Sequence, residues 1–315
     1  MIKNNLLYFR GVNLDIKNLI LLKKYFRLLN IKNKKEALKL SFNERIKVHV
    51  IYCDQQHFLG EDFLSSFTNL KYLVSSTTST DFIDKIFCIK YGIKIISLEN
   101  KRFFLKKITP TAEHTLGLIL LISRNYYSAI SSVKNGIFNR RKFGGYKMLS
   151  DCNLGIIGYG RLGKILKKIS KNLFSQIFTA DIKDKKYFKN NLKKIFKYCD
   201  FVTLHIPSKN NYEFFSKTNV PFFSKKFYLI NTSRGDVIDE KFLINCLKKK
   251  AILGYGTDVI KGEFQKDFSL KNNIIYRNAD KYNIIITPHI GGSTRDAWYK
   301  TENKVIVDLI KECGY

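Results

Sequence analysis

Several residues with proton-transfer or charge-binding chemistry stand directly behind apolar runs of this chain. His289 follows "NIIIT" and lies between a proline and two glycines in "TPHIGGST". Arg234 follows "FYLINTS", and Glu263 follows "AILGYGTDVIKG". An imidazole transfers protons near neutral pH, and a guanidinium binds a carboxylate through two parallel hydrogen bonds. A histidine on a loop without bulky side chains indicates either a capped strand end or a place that a large ligand approaches closely.

A glycine motif follows the apolar run "NLGII", with glycines at 158, 160 and 163, and an amphipathic helical pattern continues from it. The next strand pattern, "QIFTAD", ends on Asp181. A lone G-x-G-x-x-G is weak evidence, but this strand, helix and acid together indicate a dinucleotide site. Backbone N–H groups of Arg161 and Leu162 would hold the pyrophosphate, and Asp181 would bind the ribose and repel a 2′-phosphate. A helix that packs through chance glycines is the alternative.

Strand patterns alternate with helix patterns along the chain, which predicts parallel sheets covered by helices. The predicted strands of the first third are "NNLLYF", "KVHVIY" (47–52), "LKYLVSS" (70–76) and "IKIISL" (93–98). One or two helices are expected after the first of them, and another is expected to open at Asp81. Residues 109–136 predict one long, widely apolar helix, and residues 139–151 predict a linker into a second domain.

The predicted strands of the second domain also end on polar residues. His205 and Pro207 end "DFVTLHIP", and Asp258 ends "AILGYGTD". Ligands of an open parallel sheet bind at the carboxyl ends of its strands. We therefore expect one group of residues beside the glycine turn, namely Asp181, His205, Arg234, Asp258 and His289.

The bulk composition bounds the partners and the compartment. The 315 residues carry a formal charge of +30, which suggests nucleic acid or an anionic membrane surface. Drift toward AT-rich codons is the favoured alternative, because Lys, Asn, Ile, Phe and Tyr are abundant and the lysines are scattered, so we expect no nucleic-acid partner. Six cysteines without a C-x-x-C pair indicate reduced thiols and no metal site. No signal peptide and no membrane span is evident, which predicts a cytoplasmic protein without a membrane partner.

Four motifs in order, "GIIGYGRLG", "NTSRGDVID", "GTDV" before Glu263 and "TPHIGGST", resemble the D-isomer-specific 2-hydroxyacid dehydrogenase family, in particular D-3-phosphoglycerate and D-glycerate dehydrogenases. The resemblance covers roughly residues 46–315. It implies two Rossmann-like parallel-sheet α/β domains, one flavodoxin-like and one dinucleotide-binding, with a cleft between them. The substrate domain would comprise 1–110 and 295–315, and the NAD-binding domain 111–294. The segment 109–136 resembles the dimer-arm helix of the family, which implies a homodimer.

The resemblance also implies roles for individual residues. Arg234 would bind the carboxylate of a small D-2-hydroxy or 2-keto acid, His289 would exchange the proton, and Glu263 would orient His289. Backbone groups near Thr78 and Ser79 would help to hold the substrate. NAD would contact the following residues: Gly158, Gly160, Arg161, Leu162, Gly163, Asp181, His205, Pro207, Thr232, Asp258, Gly291 and Gly292. In this assignment the last two glycines clear space for the nicotinamide and the substrate.

Alternatives remain at this stage. One alternative is that Arg234 forms a surface ion pair with Asp236 and binds no substrate. Another is that Glu263 is a solvated loop acid, since Phe264 stands where the family often has proline. The loop Ser75–Thr80 lacks the glycine that is usual at Ser79, which leaves the substrate open. A different class of function is an NAD(H)-sensing binding protein of the corepressor type on the same fold. Formate oxidation is disfavoured, because that branch carries glutamine at the position of Glu263.

Overall fold

The computed structural model describes residues 4–9, 14–53, 58–145, 147–220, 223–265 and 268–315. The chain divides into two compact units. Unit 1 comprises Met1–Ile108, Phe264–Lys266 and Thr294–Tyr315, and unit 2 comprises Thr109–Glu263 and Asp267–Ser293. Each unit is built on one parallel sheet. The predicted fold class of two parallel-sheet α/β domains is confirmed.

Unit 1 contains a five-stranded sheet in the order β2-β1-β3-β4-β5, which is a doubly wound arrangement. Successive residues of its strands enter cores on opposite faces: Leu7 packs in one apolar cluster and Leu6 in the other. The strands are β1 (Asn5–Phe9), β2 (Arg27–Ile31), β3 (Val48–Tyr52), β4 (Tyr72–Val74) and β5 (Lys94–Ile96). The helices are α1 (Ile16–Tyr25), α2 (Lys34–Leu38), α3 (Phe42–Arg45), α4 (Glu61–Leu64), α5 (Lys85–Lys90), α6 (Arg102–Leu105) and, at the end of the chain, α13 (Arg295–Glu312).

Unit 2 contains a six-stranded sheet in the order β11-β10-β9-β8-β6-β7. The strand order reverses between β6 and β8, and such switch points are where open α/β sheets bind ligands. The strands are β6 (Asn153–Ile157), β7 (Gln176–Ala180), β8 (Phe201–Leu204), β9 (Phe227–Asn231), β10 (Ile252–Thr257) and β11 (Ile284–Ile286). The helices are α7 (Pro110–Ser123), α8 (Tyr126–Lys134), α9 (Arg161–Ser170), α10 (Phe188–Tyr198), α11 (Glu240–Lys248) and α12 (Ile274–Arg277).

The prediction of one long helix over 109–136 is wrong. The segment forms α7 and α8, which are separated at Arg124 and Asn125. Asn125 has φ +49°, in the left-handed region that asparagine enters more readily than most residues, and a single such residue ends an α-helix. The apolar pattern continues across this break, which is why periodicity alone did not reveal it.

Three further sequence predictions differ from the structure. Asp81 does not cap a helix, because α5 begins at Lys85 and its cap is the carboxylate of Asp84, which accepts from the amide of Phe87. The strand β2 was not predicted, since its sequence "RLLNI" is partly polar at the sheet edge. The predicted linker 139–151 does not lead into the second domain, because it lies within unit 2, which begins at Thr109. It contains two short 3-10 turns, Arg140–Phe143 and Leu149–Asp151, and its Tyr146 lies outside the described residues.

Candidate active site

The glycine turn joins β6 to α9 at the switch point of unit 2. Gly158 has φ +95°, and its amide donates to the carbonyl of Ala180 at 2.8 Å. A Cβ at Gly163 would collide with the carbonyl oxygen of Gly158, so this glycine permits the close contact of helix and turn. A Cβ at Gly160 would meet open space, and no side chain caps α9. The amides of Arg161 and Leu162 therefore lie at a helix N-terminus that suits a phosphate group.

Asp181 stands immediately behind β7, next to the glycine turn along the sheet. Its Oδ1 accepts a hydrogen bond from the amide of Lys183 at 3.0 Å, which fixes the start of the following turn. The residue is partly exposed, so its carboxylate is accessible. This geometry fits the predicted contact of Asp181 with the ribose of a dinucleotide.

Arg234 lies in a turn that a buried asparagine organises. Asn231, fully buried at the end of β9, accepts from both the amide and the hydroxyl of Ser233, and its own amide donates to the carbonyl of Arg234 at 2.9 Å. Gly235 packs so closely on the Ile260–Lys261 peptide that no Cβ fits. The turn of Arg234 therefore contacts the turn that carries Glu263.

The guanidinium of Arg234 donates to the carbonyl of Ser233 at 2.7 Å. Within the described ranges it forms no ion pair with Asp236 or with any other carboxylate. An arginine that is partly buried and lacks a carboxylate partner is suited to bind one from a ligand.

His289 and Glu263 form a direct pair. Nδ1 of His289 lies 3.0 Å from Oε2 of Glu263, and their side chains are 30% and 15% exposed. The two residues come from the loops behind β11 and β10, which are neighbours in the sheet. A carboxylate at Nδ1 fixes the orientation of the ring, so this pair can present Nε2 to a ligand for proton exchange.

The backbone at His289 is in an unusual conformation. Its φ of +53° lies in the left-handed region, which costs about 1–2 kcal/mol for a residue with a Cβ. The amide of His289 donates to the carbonyls of Asp258 and Thr287 at 3.0 and 2.9 Å. Neighbouring groups must therefore hold this loop in place.

Asp258 is the residue that holds the loop. Its Oδ1 accepts from the amide of Ile290 at 2.9 Å and from the hydroxyl of Thr287 at 2.6 Å, and its Oδ2 accepts from the amide of Gly291 at 2.7 Å. Burial alone would raise the pKa of this carboxyl, but hydrogen bonds from His114, Thr287 and the two amides outweigh it and hold the pKa below its usual range. Asp258 is therefore ionised and saturated by its own chain.

The glycines behind His289 differ from each other. A Cβ at Gly291 would stand 2.8 Å from Oδ2 of Asp258, so this position is small because the carboxylate lies beside it. A Cβ at Gly292 would have only Thr111 Oγ1 nearby, at 3.9 Å. The space beside Gly291 is thus occupied by the Asp258 carboxylate, whereas the space beside Gly292 leaves room for a ligand.

Two further residues that were predicted to contact the cofactor have buried polar side-chain atoms. The hydroxyl of Thr232 lies 2.8 Å from that of Thr115 on α7 and is buried. Both ring nitrogens of His205 are buried and have no hydrogen-bond partner among the described residues. Burial lowers the pKa of His205 to about 4, so the ring is neutral. Pro207 follows it at the exposed surface.

A cavity of about 440 Å³ borders the His289–Glu263 pair. Its wall is largely apolar, and its polar groups are those of the loop just described. Ligand sites typically combine apolar walls with a few placed polar groups. The apolar lining residues are Ile260, Phe268, Leu270, Tyr276, Ile286 and Pro288.

Thr78 and Ser79 belong to unit 1, in a loop that its own hydroxyls order. Thr77 Oγ1 donates to the carbonyl of Ser79 at 2.7 Å, and Ser79 Oγ donates to Asp81 at 2.6 Å. Ser79 is not among the described residues with positive φ, so the loop needs no glycine there.

Sequence reasoning missed three residues that build the site: His114, Asn231 and Thr287. His114 Nε2 lies 2.9 Å from Thr287 Oγ1 and 3.4 Å from Asp258 Oδ1. No local pattern indicates a partner for His114, which is 173 positions from Thr287. Asn231, at a strand end before a predicted ligand-binding turn, carried a weak signal that could have been used.

Comparisons with known proteins identify the family of this chain. Residues 116–291, more than half of the chain, match the family model "D-isomer specific 2-hydroxyacid dehydrogenase, NAD binding domain". The chain belongs to the D-isomer specific 2-hydroxyacid dehydrogenase family. It is an NAD-dependent enzyme, and the glycine turn and Asp181 fit that cofactor.

Individual relatives support the assignment. Glycerate dehydrogenase of Methylorubrum extorquens is 30% identical over 75% of this chain and 74% of its own length. D-3-phosphoglycerate dehydrogenase of Haemophilus influenzae is 33% identical over 59% of this chain, but that alignment spans only 46% of its length. A D-lactate dehydrogenase of Aquifex aeolicus, solved with NAD and lactic acid, superposes with a TM-score of 0.78 over 99% of this chain and 96% of its own, at 23% identity. The last comparison shows the shared fold.

No helix in the described part of the chain is both long and apolar enough to cross a membrane.

Proposed function

We propose that the chain interconverts a small 2-keto acid and the corresponding D-2-hydroxy acid with NAD(H). The observation that carries this proposal is the pair of His289 and Glu263 at 3.0 Å, in a unit whose Arg234 has no carboxylate partner among the described residues. The substrate of the reaction is an anion with a carbonyl group. Its chemistry requires a cation, a proton donor and a hydride, and the chain supplies the first two.

In this mechanism Arg234 binds the substrate carboxylate through its guanidinium fork. His289, protonated and oriented by Glu263, gives its proton to the carbonyl oxygen, and in the reverse direction it takes the proton from the hydroxyl. A nicotinamide cofactor held by the glycine turn and Asp181 would supply or accept the hydride. Asp258 keeps the His289 loop in its left-handed conformation, so that the ring approaches the substrate in one orientation.

The test is a panel of 2-keto acids that includes glyoxylate, pyruvate, hydroxypyruvate and phosphorylated or sugar-derived acids. Each is mixed with the purified protein and NADH, and the loss of NADH absorbance is followed. We expect turnover of at least one acid and a D-configured product. A protein that binds NADH and turns over none of them would refute the proposal.

We propose that NAD is preferred over NADP. Asp181 at the end of β7 would repel a 2′-phosphate, and no arginine follows it. Lys183 is the first cation after Asp181 in the chain, and its backbone amide donates to the Asp181 carboxylate. The ratio of kcat/KM for NADH to that for NADPH measures the preference, and a ratio below one contradicts it.

We propose that two copies associate through the α8 surface. Large apolar side chains are exposed there: Tyr127 is 67% exposed, Ile130 53%, Val133 55% and Phe138 92%. Exposed apolar groups at this density mark interaction surfaces. Light scattering after size exclusion should give a dimer, and Ile130→Glu should give a monomer. A monomeric parent protein at micromolar concentration contradicts this part of the proposal.

A further inference from the structure

Helix α7 presents a histidine to the loop that carries the proposed proton donor. His114 Nε2 lies 2.9 Å from Thr287 Oγ1 and 3.4 Å from Asp258 Oδ1. Thr287 stands two residues before His289 in the chain. His114 is thus two hydrogen bonds away from Asp258, although it belongs to a different element.

The direction of these hydrogen bonds follows from proton counting. Thr287 Oγ1 donates its single proton to Asp258 Oδ1 at 2.6 Å, since the ionised carboxylate can only accept. The same hydroxyl can then only accept from His114. His114 Nε2 must therefore carry a proton, and the order of donation is His114 to Thr287 to Asp258.

Asp258 connects this chain of hydrogen bonds to the backbone of His289 and of the two residues that follow it. Its carboxylate accepts from the amides of Ile290 and Gly291, which follow the histidine, and its carbonyl accepts from the amide of His289 itself. The φ of His289 is +53°, so the loop does not favour this conformation by itself. The network is the set of contacts that imposes it.

We propose that His114 is a positioning residue for His289, acting through Thr287 and Asp258. This inference rests on the proposed function, because it takes His289 as the proton donor. Without the donor at position 114, the Thr287 hydroxyl can turn toward the carbonyl of Thr257, which lies 3.4 Å away. Asp258 then loses a hydrogen bond, and its hold on the two amides weakens.

The consequence for catalysis is selective. The turn of Arg234 is held by Asn231, and the glycine turn is held by the contact of Gly158 with Ala180, so neither depends on His114. Proton transfer depends on the position of the imidazole, because a catalytic group must reach its partner at hydrogen-bond distance. Loss of His114 should therefore lower kcat and leave KM and NADH binding nearly unchanged.

Three variants separate this role from general stabilisation of α7. His114→Leu removes the donor, and His114→Gln retains an Nε2 donor of similar reach. Leu118→Ala is the matched control, because Leu118 lies one turn further along α7, is fully buried and takes no part in the network. Its truncation should lower the melting temperature without changing the loop.

Two measurements apply to each variant. The first is kcat and KM for the best keto acid at saturating NADH. We expect His114→Leu to lower kcat by about tenfold or more, the factor that corresponds to 1.4 kcal/mol. KM for the keto acid and the dissociation constant of NADH should stay within about twofold of the parent values. His114→Gln should restore kcat to within about threefold of the parent, and Leu118→Ala should keep the parent kcat.

The second measurement does not require activity. Amide hydrogen exchange, followed by mass spectrometry, should become faster in the segment 287–293 of His114→Leu, and should remain unchanged in the segment 231–236. A parent protein without activity on any keto acid overturns the proposed function, and the exchange data then decide the His114 network alone. A parent kcat with unchanged exchange in His114→Leu, or a His114→Gln as impaired as His114→Leu, overturns the inference.

Discussion

Substitution of Gly291 by alanine tests how the catalytic loop is held. The added methyl group would stand 2.8 Å from Oδ2 of Asp258, whereas ordinary van der Waals contacts of a Cβ begin at 3.4 Å. The carboxylate must retreat, which stretches its 2.7 Å hydrogen bond from the amide of Gly291. The φ of Gly291 is not positive, so the effect is steric and not conformational.

The magnitude follows from the bond that is lost. A hydrogen bond to a buried charged group contributes roughly 1.5–3 kcal/mol. Asp258 is 2% exposed, so water does not replace the lost donor. We expect Gly291→Ala to reduce the free energy of unfolding by about that amount, and the melting temperature by roughly 3–12 °C. Because the same carboxylate holds the amide of Ile290 next to His289, kcat should fall by about tenfold.

Gly292→Ala is the matched control. Its methyl group would meet only Thr111 Oγ1 at 3.9 Å, an ordinary contact. This variant should have the same melting temperature as the parent. Its NADH dissociation constant should rise, because position 292 is proposed to border the nicotinamide. The assay is differential scanning calorimetry together with kcat and NADH titration. A Gly291→Ala protein that melts within about 1 °C of the parent and keeps its kcat would refute the account of Asp258.

Three further outcomes are expected. Arg234→Lys should lower kcat/KM for the keto acid, with a loss of transition-state stabilisation of roughly 2–4 kcal/mol, because lysine lacks the bidentate fork. NADH binding should be retained. A change in kcat/KM of less than about threefold contradicts the role of Arg234 in binding the carboxylate. His289→Gln should lower the rate of reduction by roughly 10²–10⁴ and abolish the decline of that rate with rising pH, and an unchanged pH profile would mean another proton donor. The pKa of His205 is about 4 in the folded chain, below its ordinary value of about 6.5. The unfolded chain therefore binds the proton first, and stability is lost as the pH falls from about 6.5 toward about 4, by about 2 kcal/mol at pH 5. His205→Gln should lack this loss in urea titrations at pH 8 and pH 5, and equal losses in both proteins contradict it.

Much of the fold was predictable because it depends on local patterns. The strands around the glycine turn and the start of the last helix at Arg295 follow from apolar runs and from caps such as Thr294. The break at Asn125 and the edge strand β2 were not predictable from the same patterns. At Asn125 the apolar periodicity continues through the break, and in β2 the pairing with β1 outweighs a weak strand pattern.

The candidate site shows the same division. Arg234, Glu263 and His289 were selected from residue type and from position behind a strand, and the structure places Glu263 and His289 at 3.0 Å. The neighbour of Gly291, in contrast, was not predictable from the sequence. The glycine suggested room for a ligand, and the structure places the carboxylate of Asp258 beside it. The sequence gives the type of a small residue, but not the neighbour that requires it.

The sequence by itself determined the alternation of strands and helices, the glycine turn with its acid, and the residue types that can bind a carboxylate and move a proton. These features are encoded within short windows, where propensity, capping and strand ends act locally. Only the tertiary structure decided that Asp258 holds the His289 loop, that Asn231 holds the Arg234 turn, and that His114 reaches Thr287 across 173 positions. Hydrogen bonds between distant segments form where packing brings donors and acceptors together, and no local pattern in the chain records which partners will meet.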